Sequence, residues 1–258
     1  MKKIAVNGYS GKIASKLIGL GAIPLRADIT NKTAVERELS TVMPDVIIHA
    51  AAISSIDKCQ IDYEKAISVN VYGTNIVCET AEEVVGKEKV VLISSEQVFD
   101  GVQGNYTEKS EPFPINNYGM TKLGAEGVAQ LYGAKILRLS RGASKSDMDI
   151  SKILSGEEKN VPNFIFRSYI HLDFLAQGIW NYATRFEEMP ELLHYGGSEA
   201  ISFYSFAMML GASVQPREEE VAGFSPRPLR CGFDISLARK HELPIFTPSK
   251  SAKKVLSE

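Results

Sequence analysis

The sequence predicts an α/β fold in which a doubly wound parallel sheet is followed by a small C-terminal lobe. Short apolar runs alternate with longer amphipathic segments in the first half of the chain, which is typical of repeated strand–helix units. The 258 residues suffice for one large α/β core. After residue 141 the alternation becomes irregular. We therefore expect residues 1–142 to form the main domain, with returning elements from about 165–185, and residues 143–258 to form mainly the lobe.

The strand–helix units of the first half each have their own signal. The apolar run 3–7 predicts the first buried strand, and 11–21 predicts a helix that ends at Gly21, since glycine readily terminates helices. In chain order, the sequence then predicts an extended piece at 23–28, a helix at 31–42, a strand at 44–52, a long helix from about 57 to 83 and a strand at 89–94. A loop over 96–117, a helix that carries Tyr118 and Lys122, and a strand at 134–139 follow. For the second half it predicts helices at 173–186 and 203–211 and a strand within 190–197.

Composition and charge argue against several classes of protein. The chain has 29 lysine and arginine residues against 31 acidic ones, so we expect no contact with nucleic acid and no polybasic membrane anchor. We expect neither a secretory leader nor a membrane span, because no apolar run approaches the ~20 residues that a span needs. The three cysteines, Cys59, Cys78 and Cys231, lie far apart and form no C-x-x-C pair. These features predict a reduced, cytoplasmic protein without a bound metal.

The segment NGYSGKIA (7–14) places glycines between the first predicted strand and the first predicted helix. Gly8, Gly11 and Ala14 form a G-x-x-G-x-x-A pattern, in which glycines let backbone amides approach a pyrophosphate and the small third residue permits close packing. The helix start adds a dipole that favours negative charge. Tight strand-to-helix turns also require glycine for conformational reasons alone. The position at the first βα turn favours a Rossmann-type dinucleotide site.

The residues that would select between the two nicotinamide dinucleotides are ambiguous. Asp28 lies 20 residues after Gly8, the spacing at which a Rossmann acid meets the ribose 2′-hydroxyl. Arg26 lies two residues earlier, where it would instead hold a 2′-phosphate. The alternative is that both are solvated residues at a strand end.

A tyrosine and a lysine lie one helical turn apart in NNYGMTK (116–122). Positions i and i+4 share a helix face, so Tyr118 and Lys122 point in the same direction. A nearby ammonium favours the phenolate and would lower the pKa of the tyrosine from its ordinary value of ~10. Such a tyrosine could take part in acid–base chemistry at neutral pH. For an isolated pattern of this kind, a packed tyrosine at an exposed helix start is the alternative.

Several further blocks occur in a fixed order along the chain. They are DITN (28–31), PDVIIHAAAISSIDKCQ (44–60), VNVYGTN (69–75), LISSEQVFDG (92–101), NYTE (105–108), NNYGMTKLGAE (116–126) and, less distinctly, YIHLDFLAQGI (169–179) and RPLRCGFDISLARK (227–240). With these blocks the sequence resembles the extended short-chain dehydrogenase/reductases and, within them, the dTDP-4-dehydrorhamnose reductase group. The resemblance covers most of the chain and implies a Rossmann-type sheet with a small C-terminal substrate-binding lobe.

The resemblance implies roles for individual residues. Tyr118 matches the proton donor to a substrate carbonyl, Lys122 the residue that lowers its pKa and binds the nicotinamide ribose, and Ser95 a second hydrogen-bond donor to that carbonyl. Asn70 matches a structural asparagine. The candidate cofactor-binding residues are Gly8, Ser10, Gly11, Lys12, Ile13, Arg26, Asp28, Ile29, Ala50, Ala51, Ala52, Ser54, Ser94, Tyr118 and Lys122, and the candidate substrate-binding residues are Glu96, Gln97, Arg141, Arg227 and Arg230.

The residues after Ser95 bear on the reaction. Related reductases carry Asp–Tyr there and related 4,6-dehydratases carry Asp–Glu, whereas this sequence has Glu96–Gln97. Because an amide cannot act as a base, a dehydratase is disfavoured, and carbonyl reduction needs no second base. The resemblance therefore implies an NAD(P)H-dependent reductase of a nucleotide-activated 4-keto-sugar. We favour NADP(H) over NAD(H), because Arg26 is the only cation near that edge of the expected site.

Departures from the family pattern keep alternatives open. Arg141 stands where the reductases usually have an aromatic residue, and the C-terminal lobe is short. Only about ten residues separate the first predicted helix from Thr30, whereas a crossover alone takes about a dozen, so one βαβ step should be shortened or missing. A non-catalytic NADP-binding regulatory subunit of the same fold, like that of methionine adenosyltransferase, is one alternative, and a nucleotide-sugar epimerase is another. The resemblance also allows a homodimer.

Overall fold

Six parallel strands form the central sheet of the computed structural model, which describes residues 2–86, 88–218 and 225–258. The strands are, in chain order, β1 (Ile4–Val6), β2 (Ile23–Pro24), β3 (Val46–His49), β4 (Val90–Ser95), β5 (Lys135–Leu139), β6 (Gly142–Ala143), β7 (Asn160–Pro162), β8 (Phe166–Arg167), β9 (Ile170–His171), β10 (Leu192–Tyr195), β11 (Ile201–Ser202) and β12 (Gln215–Arg217). The central sheet has the order β10-β5-β4-β3-β1-β2. This confirms the predicted doubly wound sheet, and the reversal between β1 and β3 leaves a crevice at the carboxyl ends of these strands.

Helices cover both faces of this sheet. They are, in chain order, α1 (Lys12–Gly19), α2 (Lys32–Val42), α3 (Ile56–Ile61), α4 (Tyr63–Ile67), α5 (Gly73–Val85), α6 (Asn117–Leu131), α7 (Met148–Ser155), α8 (Leu172–Thr184), α9 (Phe203–Met209), α10 (Ser236–Lys240) and α11 (Pro248–Leu256), with a π-helical turn at Ser68–Tyr72 and 3₁₀ turns at Glu96–Val98 and Phe186–Glu188. Because side chains alternate along a strand, Ile4 and Val6 join the core shared with α1 and α8, whereas Ala5 joins the core beneath α2, α5 and α6. Within the described ranges, no helix is long and apolar enough to cross a membrane.

The edge of the sheet beside β1 is short. β2 contains only Ile23 and Pro24, and the chain passes from it through α2 to β3 on the other side of β1. Proline has no backbone amide to donate to a neighbouring strand, which suits an edge position. The shortened βαβ step expected from the spacing is therefore present at this edge.

The helix predicted over 57–83 is not continuous. The carboxylate of Asp62 accepts a hydrogen bond from the Lys65 amide (3.0 Å), so α3 ends before Asp62 and a new helix, α4, begins after it. The π-helical turn at Ser68–Tyr72, which contains the buried Asn70, then separates α4 from α5. No proline marks these breaks, so the apolar periodicity alone predicted one helix.

The C-terminal lobe has an apolar cluster of its own. Ile150 and Ile153 of α7 pack in it with Phe206 of α9 and Val255 of α11. Three short strand pairs connect its loops, β6 with β9, β7 with β12 and β8 with β11. From this region α8 returns to pack against α1, and β10 returns to pair with β5. The returning elements thus extend to Tyr195, beyond the 165–185 range, and the division into two units remains a prediction.

Candidate active site

A cleft of about 750 Å³ opens at the carboxyl ends of the central strands. It lies where the strand order reverses, which is where open α/β sheets bind their ligands. Of the candidate residues, those that line it are Gly8, Ser10, Gly11, Lys12, Ile13, Ile29, Ala50, Ala51, Ala52, Ser54, Ser94, Ser95, Glu96, Gln97, Tyr118, Lys122 and Arg141. The cleft therefore brings the predicted glycine loop and the predicted catalytic residues together.

The glycine loop connects β1 to α1. Gly8 has φ +71°, and a Cβ atom there would lie 2.8 Å from the backbone of Ala51, so both conformation and space require glycine. The Gly11 amide donates to the Gly8 carbonyl (2.8 Å), and α1 begins at the next residue. Gly11 has no side chain to accept from the first amides of the helix, so these amides are available to an anion. The loop and the helix dipole together fit a pyrophosphate.

A buried polar network fixes the second wall of the cleft. The Asn7 side-chain oxygen accepts hydrogen bonds from the amides of Ala50 and Ala51, both at 2.9 Å, and so joins β1 to the end of β3. His49 is buried beside Asn7, and its Nε2 lies 2.9 Å from the Thr74 hydroxyl. Burial, aided by the charge of Lys122, lowers the pKa of His49 to about 3, so His49 is neutral near pH 7.

The three candidate catalytic residues converge from two elements. Ser95 ends β4, whereas Tyr118 and Lys122 lie one turn apart in α6. Burial raises the pKa of Tyr118 to about 12, and a hydrogen bond with the Ser95 hydroxyl opposes this shift. Burial therefore sets the direction of the Tyr118 shift, and the lowering of this pKa by Lys122 stays a prediction. Lys122 is only 3% exposed, and burial lowers its pKa to about 8, while Glu126 acts in the opposite direction.

Asn70 connects the loop after β3 to the start of α6. Its side-chain oxygen accepts from the Ile53 amide (2.8 Å), and its amide group donates to the Ile53 carbonyl (3.1 Å). The same amide group donates to the Thr121 hydroxyl (2.9 Å), which donates to the Tyr118 carbonyl (2.8 Å). These contacts give Asn70 a structural role that fixes the start of α6 against the loop after β3.

The sequence between Tyr118 and Lys122 also locks the start of α6 in place. A Cβ atom at Gly119 would lie 2.1 Å from the Gln97 carbonyl oxygen, so only glycine permits this approach. The side chain of Asn116 caps the helix by accepting from the Gly119 amide (2.8 Å), and it donates to the Gln97 side-chain oxygen (3.1 Å). Our sequence reasoning missed both residues, although a glycine directly after the tyrosine was a visible signal.

Glu96 and Gln97 line the cleft but are held by neighbours. The Glu96 carboxylate accepts from the Ser140 hydroxyl (2.5 Å) and forms an ion pair with Arg167, whose Nε lies 2.6 Å away. Burial raises the pKa of Glu96, and Arg167 opposes the shift. Both partners of this ion pair are buried, and substrate binding by Glu96 stays a prediction.

Four candidates lie outside the cleft as the described residues form it. Arg227 pairs with Asp57 (3.0 Å), and Arg230 lies over the Phe166 ring, with 5.6 Å between Cζ and the ring centre. Asp28 accepts hydrogen bonds from the amide and hydroxyl of Thr30, which lower its pKa. Arg26 lies over Tyr9 of the glycine loop, with Cζ 4.9 Å from the ring centre. Arg26 is thus beside the loop, whereas the two arginines of the C-terminal segment are engaged elsewhere.

Two ion pairs at the cleft were not predicted. Arg141, which follows β5, pairs with Asp149 of α7 (2.9 Å), and Lys12 pairs with Asp147 (2.6 Å), which precedes α7 and lines the cleft. Both acids come from the lobe. Nothing in the local sequence indicates the Lys12–Asp147 pair, because its partners are 135 positions apart.

Comparison with known proteins gives a consistent family. The model of the family described as the RmlD substrate binding domain matches residues 2–229. The beta subunit of methionine adenosyltransferase 2 from Xenopus laevis is 28% identical over 86% of this chain and 72% of its own length. A dTDP-4-dehydrorhamnose reductase from Aggregatibacter actinomycetemcomitans is 33% identical, and the alignment covers 49% of this chain and 46% of the reductase.

Solved structures resemble the chain over nearly its whole length. A hypothetical dTDP-4-dehydrorhamnose reductase from Sulfolobus tokodaii has a TM-score of 0.84 at 26% identity and covers 95% of this chain and 97% of its own. The dTDP-4-dehydrorhamnose reductase of Bacillus anthracis in complex with NADP has a TM-score of 0.87 at 21% identity, with 100% and 99% of the chains covered. MoeE5 in complex with UDP-glucuronic acid and NAD has a TM-score of 0.80 at 20% identity, with 99% and 98% covered. By its family match, this chain belongs to the RmlD-like family of extended short-chain dehydrogenase/reductases.

Proposed function

We propose that this protein is an NAD(P)H-dependent reductase of a nucleotide-activated 4-keto-sugar. The observation that carries the proposal is the placement of Ser95, Tyr118 and Lys122 in one cleft with the glycine loop. Gly8 and the uncapped start of α1 fit a dinucleotide pyrophosphate. Relatives that are dTDP-4-dehydrorhamnose reductases support the reaction class, and the UDP-glucuronic acid bound to MoeE5 supports a nucleotide-sugar ligand.

A bound nicotinamide dinucleotide supplies the hydride. Tyr118 donates the proton to the carbonyl oxygen, and its high pKa keeps the phenol protonated at neutral pH. Ser95 holds the same carbonyl oxygen next to the phenol. Lys122, with a pKa of about 8, carries a positive charge at neutral pH and stabilises the phenolate that remains.

The residues next to Ser95 support reduction over elimination of water. A 4,6-dehydratase needs a base that removes a proton beside the carbonyl, and the Gln97 amide cannot do this. The Glu96 carboxylate is occupied by Arg167 and Ser140. Reduction requires only the hydride that a bound dinucleotide would supply and a proton donor with its supports.

We also propose that the cofactor is NADP(H). Arg26 stands over Tyr9 next to the glycine loop, in position to meet a 2′-phosphate, which guanidinium groups bind well. The relatives with bound cofactor include one with NADP and one with NAD. Arg26→Ala should weaken NADPH binding more than NADH binding, as measured by fluorescence titration of each. Equal effects on both dinucleotides would remove Arg26 from the 2′-phosphate site.

A regulatory subunit is the second candidate. The beta subunit of methionine adenosyltransferase 2 aligns with 86% of this chain, more than the Aggregatibacter reductase does. A regulator would bind the dinucleotide without turnover. We favour the enzyme, because Asn70, Asn116 and Gly119 hold the proton donor in a defined position that a binding protein does not need.

The two candidates differ in turnover. Purified protein is mixed with NADPH and with dTDP-4-keto-6-deoxyglucose, and the loss of NADPH absorbance and the reduced sugar nucleotide are measured together. Stoichiometric formation of both products supports the reductase. Tight NADPH binding without product from this sugar or from other nucleotide-linked 4-keto-sugars would favour the regulator.

A further inference from the structure

A carboxylate of the C-terminal lobe forms an ion pair with the lysine that follows the glycine loop. Lys12 is the first residue of α1, and its ammonium lies 2.6 Å from the Asp147 carboxylate. Both residues line the cleft. The Lys12 side chain is 52% exposed and the Asp147 side chain is 14% exposed. This ion pair therefore joins the lobe to the element that presents its amides to a pyrophosphate.

Asp147 is held in place independently of Lys12. Its other carboxylate oxygen accepts a hydrogen bond from the Ser144 amide (2.8 Å), and its carbonyl accepts from the Ser151 amide (2.7 Å). The next acid, Asp149, binds Arg141 through both of its oxygens, at 3.0 and 2.9 Å. If the Lys12–Asp147 pair opens, these contacts keep the start of α7 docked.

A phosphate group at the start of α1 and the Asp147 carboxylate would compete for one ammonium. Lys12 is on the first turn of α1, so an anion bound to the first amides of that helix is within reach of it. Because the Lys12 side chain is half-exposed, its ammonium can exchange one anion for another at little cost, whereas Asp147 stays in place through the Ser144 amide. A fixed carboxylate beside the site also repels the incoming phosphates.

We propose that the Asp147 carboxylate forms its ion pair with Lys12 when no cofactor is bound, and that the pyrophosphate must displace it. Asp147 thereby weakens dinucleotide binding. The inference rests on the proposed function, because it requires that a dinucleotide enters this cleft. On this inference, Asp147 controls the affinity for the cofactor. Cofactor binding breaks the Lys12–Asp147 pair, which is a contact between the sheet and the lobe.

The test is a set of NADPH and NADH titrations at low salt, where charge effects are least screened. Asp147→Asn should tighten binding between about two- and fivefold, the range expected for one partly exposed ion pair. Lys12→Met should weaken dinucleotide binding. When Lys12 is already Met, adding Asp147→Asn should increase the affinity by less than it does in the wild type. Asp173→Asn is the matched control, because it removes the same charge from a pair with Lys16 of α1 (2.7 Å) that does not line the cleft.

Three results would overturn the inference alone. In the first, the wild type binds a dinucleotide and Asp147→Asn binds it no more tightly. In the second, Asp147→Asn increases the affinity equally with and without Lys12→Met. In the third, Asp173→Asn increases the affinity as much as Asp147→Asn does. Thermal unfolding of each variant shows whether it is folded. If neither the wild type nor any folded variant binds a dinucleotide, the proposed function fails, and the inference fails with it.

Discussion

The ammonium of Lys122 is buried, and this placement has a measurable cost. Burial lowers its pKa from 10.5 to about 8, so the unfolded chain binds this proton more tightly than the folded protein does. The lysine therefore destabilises the fold fully below about pH 8, and the penalty disappears as the pH rises toward 10.5. Lys122→Met should raise the unfolding midpoint at pH 7 and abolish turnover. The gain should shrink between pH 8 and 10, and a midpoint below that of the wild type would contradict the buried-charge account.

At the residue scale, the sequence predicted which side chains meet but not how they titrate. The i, i+4 spacing placed Tyr118 and Lys122 on one face, and the structure puts both in the cleft. The spacing did not indicate that the pKa of Tyr118 is raised to about 12, because this shift comes from burial in the folded chain. The Asp28 carboxylate is bound to Thr30 in a local turn, and its role at the ribose stays a prediction.

At the element scale, the start of α6 depends on a glycine that permits a close contact. Gly119→Ala would force a methyl group to within 2.1 Å of the Gln97 carbonyl oxygen, so the helix start or the loop must move. We expect a loss of about 1–3 kcal/mol in the free energy of unfolding, as for overpacked cores, together with a loss of turnover.

Gly127→Ala is the control for this change, because Gly127 lies in the same helix and a methyl group added there would have nothing within 4 Å. It should stabilise the protein by about 0.5–1 kcal/mol, the helix preference for alanine over glycine. Urea unfolding measures both variants. Equal effects of the two substitutions would show that the contact at Gly119 carries no cost.

Strands were the elements best predicted from sequence. The apolar runs at 3–7, 89–94 and 134–139 correspond to β1, β4 and β5, because buried parallel strands are continuous apolar segments. The helix over 57–83 was not resolved into its parts. One break comes from the Asp62 cap, a local contact with the Lys65 amide. The other comes from a turn that contains the buried Asn70, whose contact with Ile53 spans 17 positions.

At the scale of the whole molecule, Arg167 connects the sheet to the C-terminal segment. Besides its pair with Glu96, it donates to the carbonyls of Phe166 (2.7 Å), Leu229 (2.9 Å) and Pro228 (2.5 Å). Arg167→Met would leave a buried carboxylate and three carbonyls without this partner.

The expected loss for Arg167→Met is about 3–5 kcal/mol in the free energy of unfolding, since one partner of a buried pair is removed. Arg141→Met is the matched comparison, because its pair with Asp149 is roughly half-exposed and such pairs are worth about 0–1 kcal/mol. Denaturant unfolding compares the two. Similar losses would mean that burial of the Glu96–Arg167 pair does not govern its contribution.

Contacts between the lobe and the sheet were the least accessible to sequence reasoning. Asp147 reaches Lys12 across 135 positions of the chain, and Arg167 reaches Pro228 across 61. No local pattern encodes such pairs, whereas the glycine loop and the tyrosine–lysine pair are local and were recognisable. Arg227 and Arg230, predicted to bind the substrate, contact Asp57 and Phe166. These partners are also distant in sequence, so no local pattern indicated them.

The central claim is that Tyr118 donates the proton in a carbonyl reduction. The most direct measurement compares the wild type with Tyr118→Phe for NADPH consumption with dTDP-4-keto-6-deoxyglucose, alongside NADPH binding by each protein. We predict turnover by the wild type that is lost in Tyr118→Phe, while NADPH affinity changes little, because only a hydroxyl is removed. Turnover by Tyr118→Phe at the wild-type rate would contradict this role of the tyrosine.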